Sequence, residues 1–272
     1  MPYRIPSHVT RNNGCARKRS EAKYRNLWPG FAWSPCLGNT GATQREHIQQ
    51  ADGTLTNMVP ADDWVLSEGR WALNYGGTNQ FVEVAENPAL EYASGTQKTV
   101  SVRFRLANTT GVHTIVSKWD NPTDKEYILY SNGTSLFLGC NGESTEVTTT
   151  VAASTWYHAV FTLSGAGASE LFLDGVSAGT GSATVFATGN VNALRFGQNT
   201  ATNWFAGLID DVLMWNRIVP AQEIRQLYSL GRGGWAERRK RRTWLGDPGY
   251  TPFAEFHNQS QPIFDKYVPV PY

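Results

Sequence analysis

Cysteine is scarce in this chain: Cys15, Cys36 and Cys140 are the only three in 272 residues. An odd, widely spaced set of this kind supports neither a disulfide framework nor a zinc site. No apolar run is long enough to span a bilayer, and the N-terminus lacks the apolar core of a signal segment, which argues against classical secretion. The sequons at Asn108, Asn132 and Asn258 are therefore read as chance matches rather than glycosylation sites. The five histidines are scattered, and neither a Gly-x-Ser-x-Gly elbow nor a phosphate loop is present. Helical periodicity is also nearly absent, which excludes a helical layer and leaves an all-β body.

What charge there is divides sharply. Residues 26–231 carry 10 Lys/Arg against 18 Asp/Glu, while residues 1–25 and 232–272 together carry 14 against 5, so a net charge of +1 conceals an acidic body and basic ends. We therefore divide the chain into a basic N-terminal arm (1–25), a body (26–231) and a basic, Pro- and aromatic-rich C-terminal arm (232–272). Arg17, Lys18 and Arg19 mark the first arm; Arg238, Arg239, Lys240, Arg241 and Arg242 mark the second. Neither arm has strand or helix periodicity, and Pro248, Pro252, Pro262, Pro269 and Pro271 favour extended backbone in the second. Opposite charge on body and arms points to attachment to acidic protein surfaces, neighbouring copies included. Nucleic acid is disfavoured as a partner, because one basic triplet without interleaved aromatics is a weak signal for it.

Within the body, the spacing predicts strands near Phe31–Trp33 and Thr54–Met58, the latter at a sheet edge. Arg70–Tyr75 and Gln80–Val84 flank Gly76-Gly-Thr-Asn79, a hairpin signature. Further strands are predicted at Thr99–Leu106, His113–Lys118, Glu126–Tyr130, Ser135–Cys140, Trp156–Leu163, Glu170–Asp174 and Ala193–Phe196, most of them bounded by turn-prone residues. Leu208–Trp215 reads as a buried strand, after which the period changes at Pro220 to that of one short helix, with Ile224, Leu227 and Tyr228 on one face and Gly231 ending it. Short strands at this spacing indicate a large two-sheet sandwich.

Three segments carry a resemblance. They are Gly76–Val84; Thr155–Leu163 with Leu171-Phe-Leu-Asp-Gly175; and Phe205–Trp215 with Pro220–Leu227. In this order and spacing they resemble the laminin G-like, concanavalin A-like lectin superfamily, particularly its pentraxin-related bacterial and viral branch, over about residues 64–231. The resemblance implies a jelly roll of two antiparallel sheets whose terminal strand–helix unit returns near the first strands. It also implies calcium at one end of the sandwich, held by carboxylates of two loops. The matching first loop, Lys118–Glu126, offers Asp120, Asp124 and Glu126, hard oxygen ligands of the kind calcium prefers. The second, Gly197–Asn203, has no carboxylate where relatives carry acidic ligands.

Trp119 and Trp204 lie in or beside these loops, where an indole face can stack on a sugar ring, and Asn199 and Asn203 add hydrogen-bonding amides; these four are the expected glycan contacts. Asp210 and Asp211 form an adjacent acidic pair. On a regular strand they point to opposite faces, so we expect a structural role and no catalytic residues. Related glucanases carry a Glu-x-Asp-x-x-Glu strand, and this chain has no such run. The expected function is a non-enzymatic virion surface protein, a capsid decoration or head or tail component, with a lectin-like body. Its partners would be other virion subunits, copies of itself and a cell-surface glycan, with no membrane insertion. A bacterial carbohydrate-binding or adhesion module at the cell surface is the alternative, and a glycoside hydrolase ranks third.

Overall fold

The structure, a computed structural model, describes residues 25–35, 41–120, 124–140, 143–182, 185, 189–199 and 203–230, apart from the side chains at 25, 120, 124 and 143–146. In chain order its elements are β1 (Phe31–Trp33), β2 (Thr43–Gln44), β3 (Gly53–Thr56), a four-residue helix α1 (Pro60–Asp63), β4 (Trp64–Ser67), β5 (Arg70–Gly76), β6 (Phe81–Val84) and β7 (Lys98–Leu106). There follow β8 (Val112–Asp120), β9 (Asp124–Asn132), β10 (Ser135–Cys140), β11 (Glu143–Thr150), β12 (Trp156–Leu163), β13 (Ala168–Leu173), β14 (Val176–Ser182), β15 (Leu194–Phe196), β16 (Ala206–Trp215) and α2 (Ala221–Ser229). The strands form two antiparallel sheets. The first runs β14-β13-β12-β7-β16-β5-β4, with β1 also on β16; the second runs β11-β10-β9-β8-β15-β6-β3-β2.

Alternation along each strand builds the core. Val102, Phe104, Phe161, Ile209 and Met214 of the first sheet face Ile115, Tyr127, Leu129 and Phe196 of the second, all at most 1% exposed. The alternate residues of the first sheet form a second apolar layer, in which Val160, Phe172, Leu213 and Trp215 are covered by Ile224 and Leu227 of α2. The 3.6-residue spacing of those two helical positions is what lets one short helix cover the sheet. Pro220, with extended backbone, is the N-cap rather than the first helical residue.

Two expectations about connectivity are corrected. The turn at Gly76–Asn79 does not close a hairpin: β5 lies in the first sheet and β6 in the second, so this turn carries the chain between layers. Nor is β3 an edge strand, since β2 pairs outside it. The strand–helix unit does return to the first strands. β16 pairs with β5 over residues 206–209 and with β1 over residues 212–214, so two strands meet end to end along one of its sides. The arm residues Arg17, Lys18, Arg19, Arg238, Arg239, Lys240, Arg241 and Arg242 lie outside the described residues. Among the described residues no helix is long and apolar enough to cross a membrane.

Candidate functional site

Where β16 changes partner, its register slips between Ile209 and Val212. This bulge breaks the alternation expected of Asp210 and Asp211 and turns both carboxylates toward one guanidinium. Arg70, at the start of β5, pairs with Asp210 at 3.1 Å and also with Asp211, while Arg103 of β7 reaches Asp210 at 3.0 Å. Ser34, just past β1, donates to Asp211. Arg103 in turn lies 3.9 Å over the Trp156 ring and pairs with Glu68. Burial first, then the adjoining Asp211 charge, push the Asp210 carboxyl up to about 7 against the pull of both arginines. The two acids therefore do share a face. Both are sealed from solvent with their oxygens committed, and they act as a clamp between β1, β5, β7 and β16.

Nearby, Ser101 and His158 are hydrogen-bonded at 2.8 Å. The pair lacks the features of a nucleophilic dyad. Both residues are buried, no group among the described residues partners His158 Nδ1, and the ring stacks against Tyr228 of α2. Burial, with Arg103 nearby, pushes His158 down to about 4, so it stays neutral at physiological pH.

At the second sheet a different bulge sorts charge. The β8–β9 register slips between Lys118 and Trp119. Glu126, the extra residue, turns inward, accepts from the backbone N–H groups of Tyr92 and Asn190 and pairs with buried Lys118 at 3.3 Å. Burial raises the Glu126 carboxyl despite these donors. Both of its oxygens are thus committed within the sandwich, and the calcium ligand expected from the resemblance is not presented to the loop. The side chains of Asp120 and Asp124 lie outside the described residues. Among those described, no group of three or more His, Cys, Asp or Glu is placed to hold a metal ion.

The same bulge leaves Lys125 outward, its Nζ 5.4 Å from the centre of the Trp119 ring. Tyr127 and Leu129 point into the core, so Ile128, Tyr130 and Asn132 line the outer face. Across them stands the loop from β15 to β16. Its Gly197 has φ +89° and a Cβ there would lie 2.6 Å from the Tyr75 ring, so only glycine allows this close approach. The Gly197 N–H bonds to the Ile115 carbonyl, Ser117 Oγ donates to the Gln198 carbonyl at 2.5 Å, and Arg195, paired with Glu83, donates to the Asn199 carbonyl. Between loop and sheet lies a pocket of about 280 Å³ lined by Val112, Trp119, Lys125, Ile128, Tyr130, Asn132, Asn199 and Asn203.

Three of the four expected glycan contacts, Trp119, Asn199 and Asn203, are therefore brought to one pocket. Trp119 is only 5% exposed and forms a wall beneath Lys125 rather than an open platform. Trp204 does not line the pocket. It packs on Phe81, and its carbonyl hydrogen-bonds with His113 Nδ1. Sequence reasoning missed Lys125, Tyr130 and Asn132. Alternation from the apolar Tyr127 and Leu129 would have put Tyr130 and Asn132 outside, but the position of Lys125 depends on the bulge. Tyr130 is half-buried and stacks on Phe137 of β10 at 5.0 Å.

The fold has known counterparts. A sialidase of Trypanosoma rangeli, solved with a difluorinated nononic acid, is similar at a TM-score of 0.59 and 14% identity, over 75% of this chain and 33% of that one. The binding domain of botulinum neurotoxin serotype G is similar at 0.58 and 14%, over 75% and 51%. The binding domain of Paraclostridial Mosquitocidal Protein 1 is similar at 0.51 and 16%, over 61% and 44%. The chain thus spans a third to a half of these proteins, and at such identity the likeness is one of fold. No curated protein sequence matches the chain. Residues 76–225, more than half of the chain, match the family model of the concanavalin A-like lectin/glucanases superfamily, and to that superfamily the protein belongs.

Proposed function

We propose that the protein is a non-enzymatic carbohydrate-binding module that takes a glycan in the pocket between β8, β9 and the β15–β16 loop. The observation that carries this reading is the lining itself. Three carboxamides, an indole and a phenol converge on a cavity of about 280 Å³, and such a mix of flat apolar surface and fixed hydrogen-bonding groups suits a sugar ring. The toxin binding domains among its structural counterparts agree with a binding role. The sialidase leaves room for hydrolysis, yet the adjacent carboxylates Asp210 and Asp211 are committed to Arg70 and Arg103.

A broad glycan array, followed by titration of the best ligand, tests the reading. Tyr130→Ala and Asn199→Ala should each weaken binding by about tenfold or more, as central contacts do. Trp204→Ala, outside the pocket, should leave binding unchanged. Unaltered affinity in both pocket variants would sink the placement. For the arms we propose attachment of this body to neighbouring subunits of a virion, on the strength of the charge division alone. Deleting 232–272 should then abolish incorporation into particles while leaving glycan binding intact, and normal incorporation would defeat that part.

A further inference from the structure

We infer that the pocket selects an anionic glycan, one bearing a carboxylate or sulfate, and that Lys125 supplies the countercharge without a metal ion. The inference rests on the carbohydrate reading above and adds the class of sugar. Of the eight residues lining the pocket, Lys125 is the one charged side chain, and none is a carboxylate. That is unusual for this body, in which acids outnumber bases by 18 to 10 over residues 26–231. The side chains of Asp120 and Asp124, neighbours of Lys125, lie outside the described residues, and two described acids of the second sheet are directed elsewhere. Glu126 points inward to Lys118, and Glu83 is paired with Arg195 at 2.9 Å. Among the described residues of the lining, none carries a negative charge to set against the Lys125 ammonium.

Geometry fixes this charge in place. The ammonium lies over the Trp119 indole, an arrangement that holds a cation electrostatically while leaving its hydrogen-bond donors unspent. The amides of Asn132, Asn199 and Asn203 stand in the same lining. A sugar whose acidic group meets Lys125 would thus be bound by one charge-assisted contact and several neutral ones. Removing the charge of that group should cost about tenfold or more in affinity, the range of a hydrogen bond to a charged partner. Calcium has no part in such a site, which agrees with the absence of carboxylates from residues 197–203.

The test uses the full chain on matched glycans: uronic-acid oligosaccharides beside their carboxyl-reduced forms, and sulfated ones beside their desulfated forms. The acidic member of at least one set should bind about tenfold or more tighter at low salt, less so at high salt, and equally well in EDTA. Lys125→Met should erase the preference, and Lys125→Arg should retain it. Equal binding of neutral and acidic partners, a preference that survives Lys125→Met, or its loss in EDTA would overturn the inference and leave the carbohydrate reading standing. Failure of every glycan to bind would overturn both. The carboxylated and sulfated sets separate the two sources of charge.

Discussion

Asp211→Ala should be among the most destabilising single changes in the body. Its carboxylate is fully buried, accepts from Ser34 and pairs with Arg70, whose side chain is 11% exposed. Without it, Arg70 and Arg103 would share the one buried carboxylate of Asp210, Arg103 keeping only the exposed Glu68 besides. An uncompensated buried cation costs about 3–5 kcal/mol. For a domain of this size that is a melting shift of about 6–20 °C. Arg70→Met should cost as much, because it leaves two adjacent carboxylates facing Arg103 alone. The double variant restores the balance, with Asp210 against Arg103, and should cost less than either single change. Urea denaturation at pH 7, followed by tryptophan fluorescence, measures all three. Single costs below about 1 kcal/mol, or a double equal to the sum of the singles, would refute the reading of a charge-balanced clamp.

Other outcomes follow from the same contacts. His158, held down to about 4 against an ordinary 6.5, stays neutral in the folded chain while the unfolded chain takes up a proton. Its contribution to stability is therefore lost as pH falls from 6.5 to 4, by on the order of 3 kcal/mol. Asp210, raised to about 7, acts in the opposite sense, weakening the fold as pH rises from about 4 to 7. The stability gap between wild type and His158→Gln should accordingly shrink by on the order of 3 kcal/mol from pH 7 to pH 4, and parallel urea profiles would rule this out. Gly207→Ala should cost about 3 kcal/mol or more, since φ is +141° and a Cβ would sit 2.1 Å from the Arg105 carbonyl; an unchanged urea midpoint would contradict the backbone geometry. Ile224→Ala, fully buried between α2 and the first sheet, should cost about 2–5 kcal/mol by the same assay, whereas a small cost would mean that the helix is not held by its apolar face.

The inner strands were legible because burial writes an apolar signal, on both faces for Trp156–Leu163 and mainly on one for Ser135–Cys140. Ser135–Cys140 and Trp156–Leu163 were placed with the right ends. The four strands not read, β2, β4, β11 and β14, are the four that end the sheets. An edge strand has one neighbour and more solvent, so it tolerates sequences such as Glu-Ser-Thr-Glu-Val-Thr-Thr-Thr and Val-Ser-Ala-Gly-Thr-Gly-Ser, whose composition looks like loop. The Gly76–Asn79 turn misled for a related reason. Local φ preferences show that the chain reverses, but not whether the next strand pairs within the sheet or crosses to the other. At the pocket, types and loops were readable for Trp119, Asn199 and Asn203, and alternation gives Tyr130, whereas Lys125 needed the register slip.

Two register slips decide where this molecule keeps its charge. In β16 the slip gathers Asp210 and Asp211 onto the side where Arg70 and Arg103 neutralise them, so a feature that looks chemical in sequence is spent on joining β1 and β5. Between β8 and β9 the slip separates neighbours instead, turning Glu126 inward to Lys118 and leaving Lys125 over Trp119 at the surface. The outer face of the first sheet is further closed by α2, while among the described residues no helix packs on that of the second, across which only the β15–β16 loop stands. On the reading proposed above, a sugar-sized ligand would there meet the amides of Asn132, Asn199 and Asn203 together with the Lys125 ammonium. This division, more than the superfamily, is what directs the search for ligand to Lys125 and its neighbours.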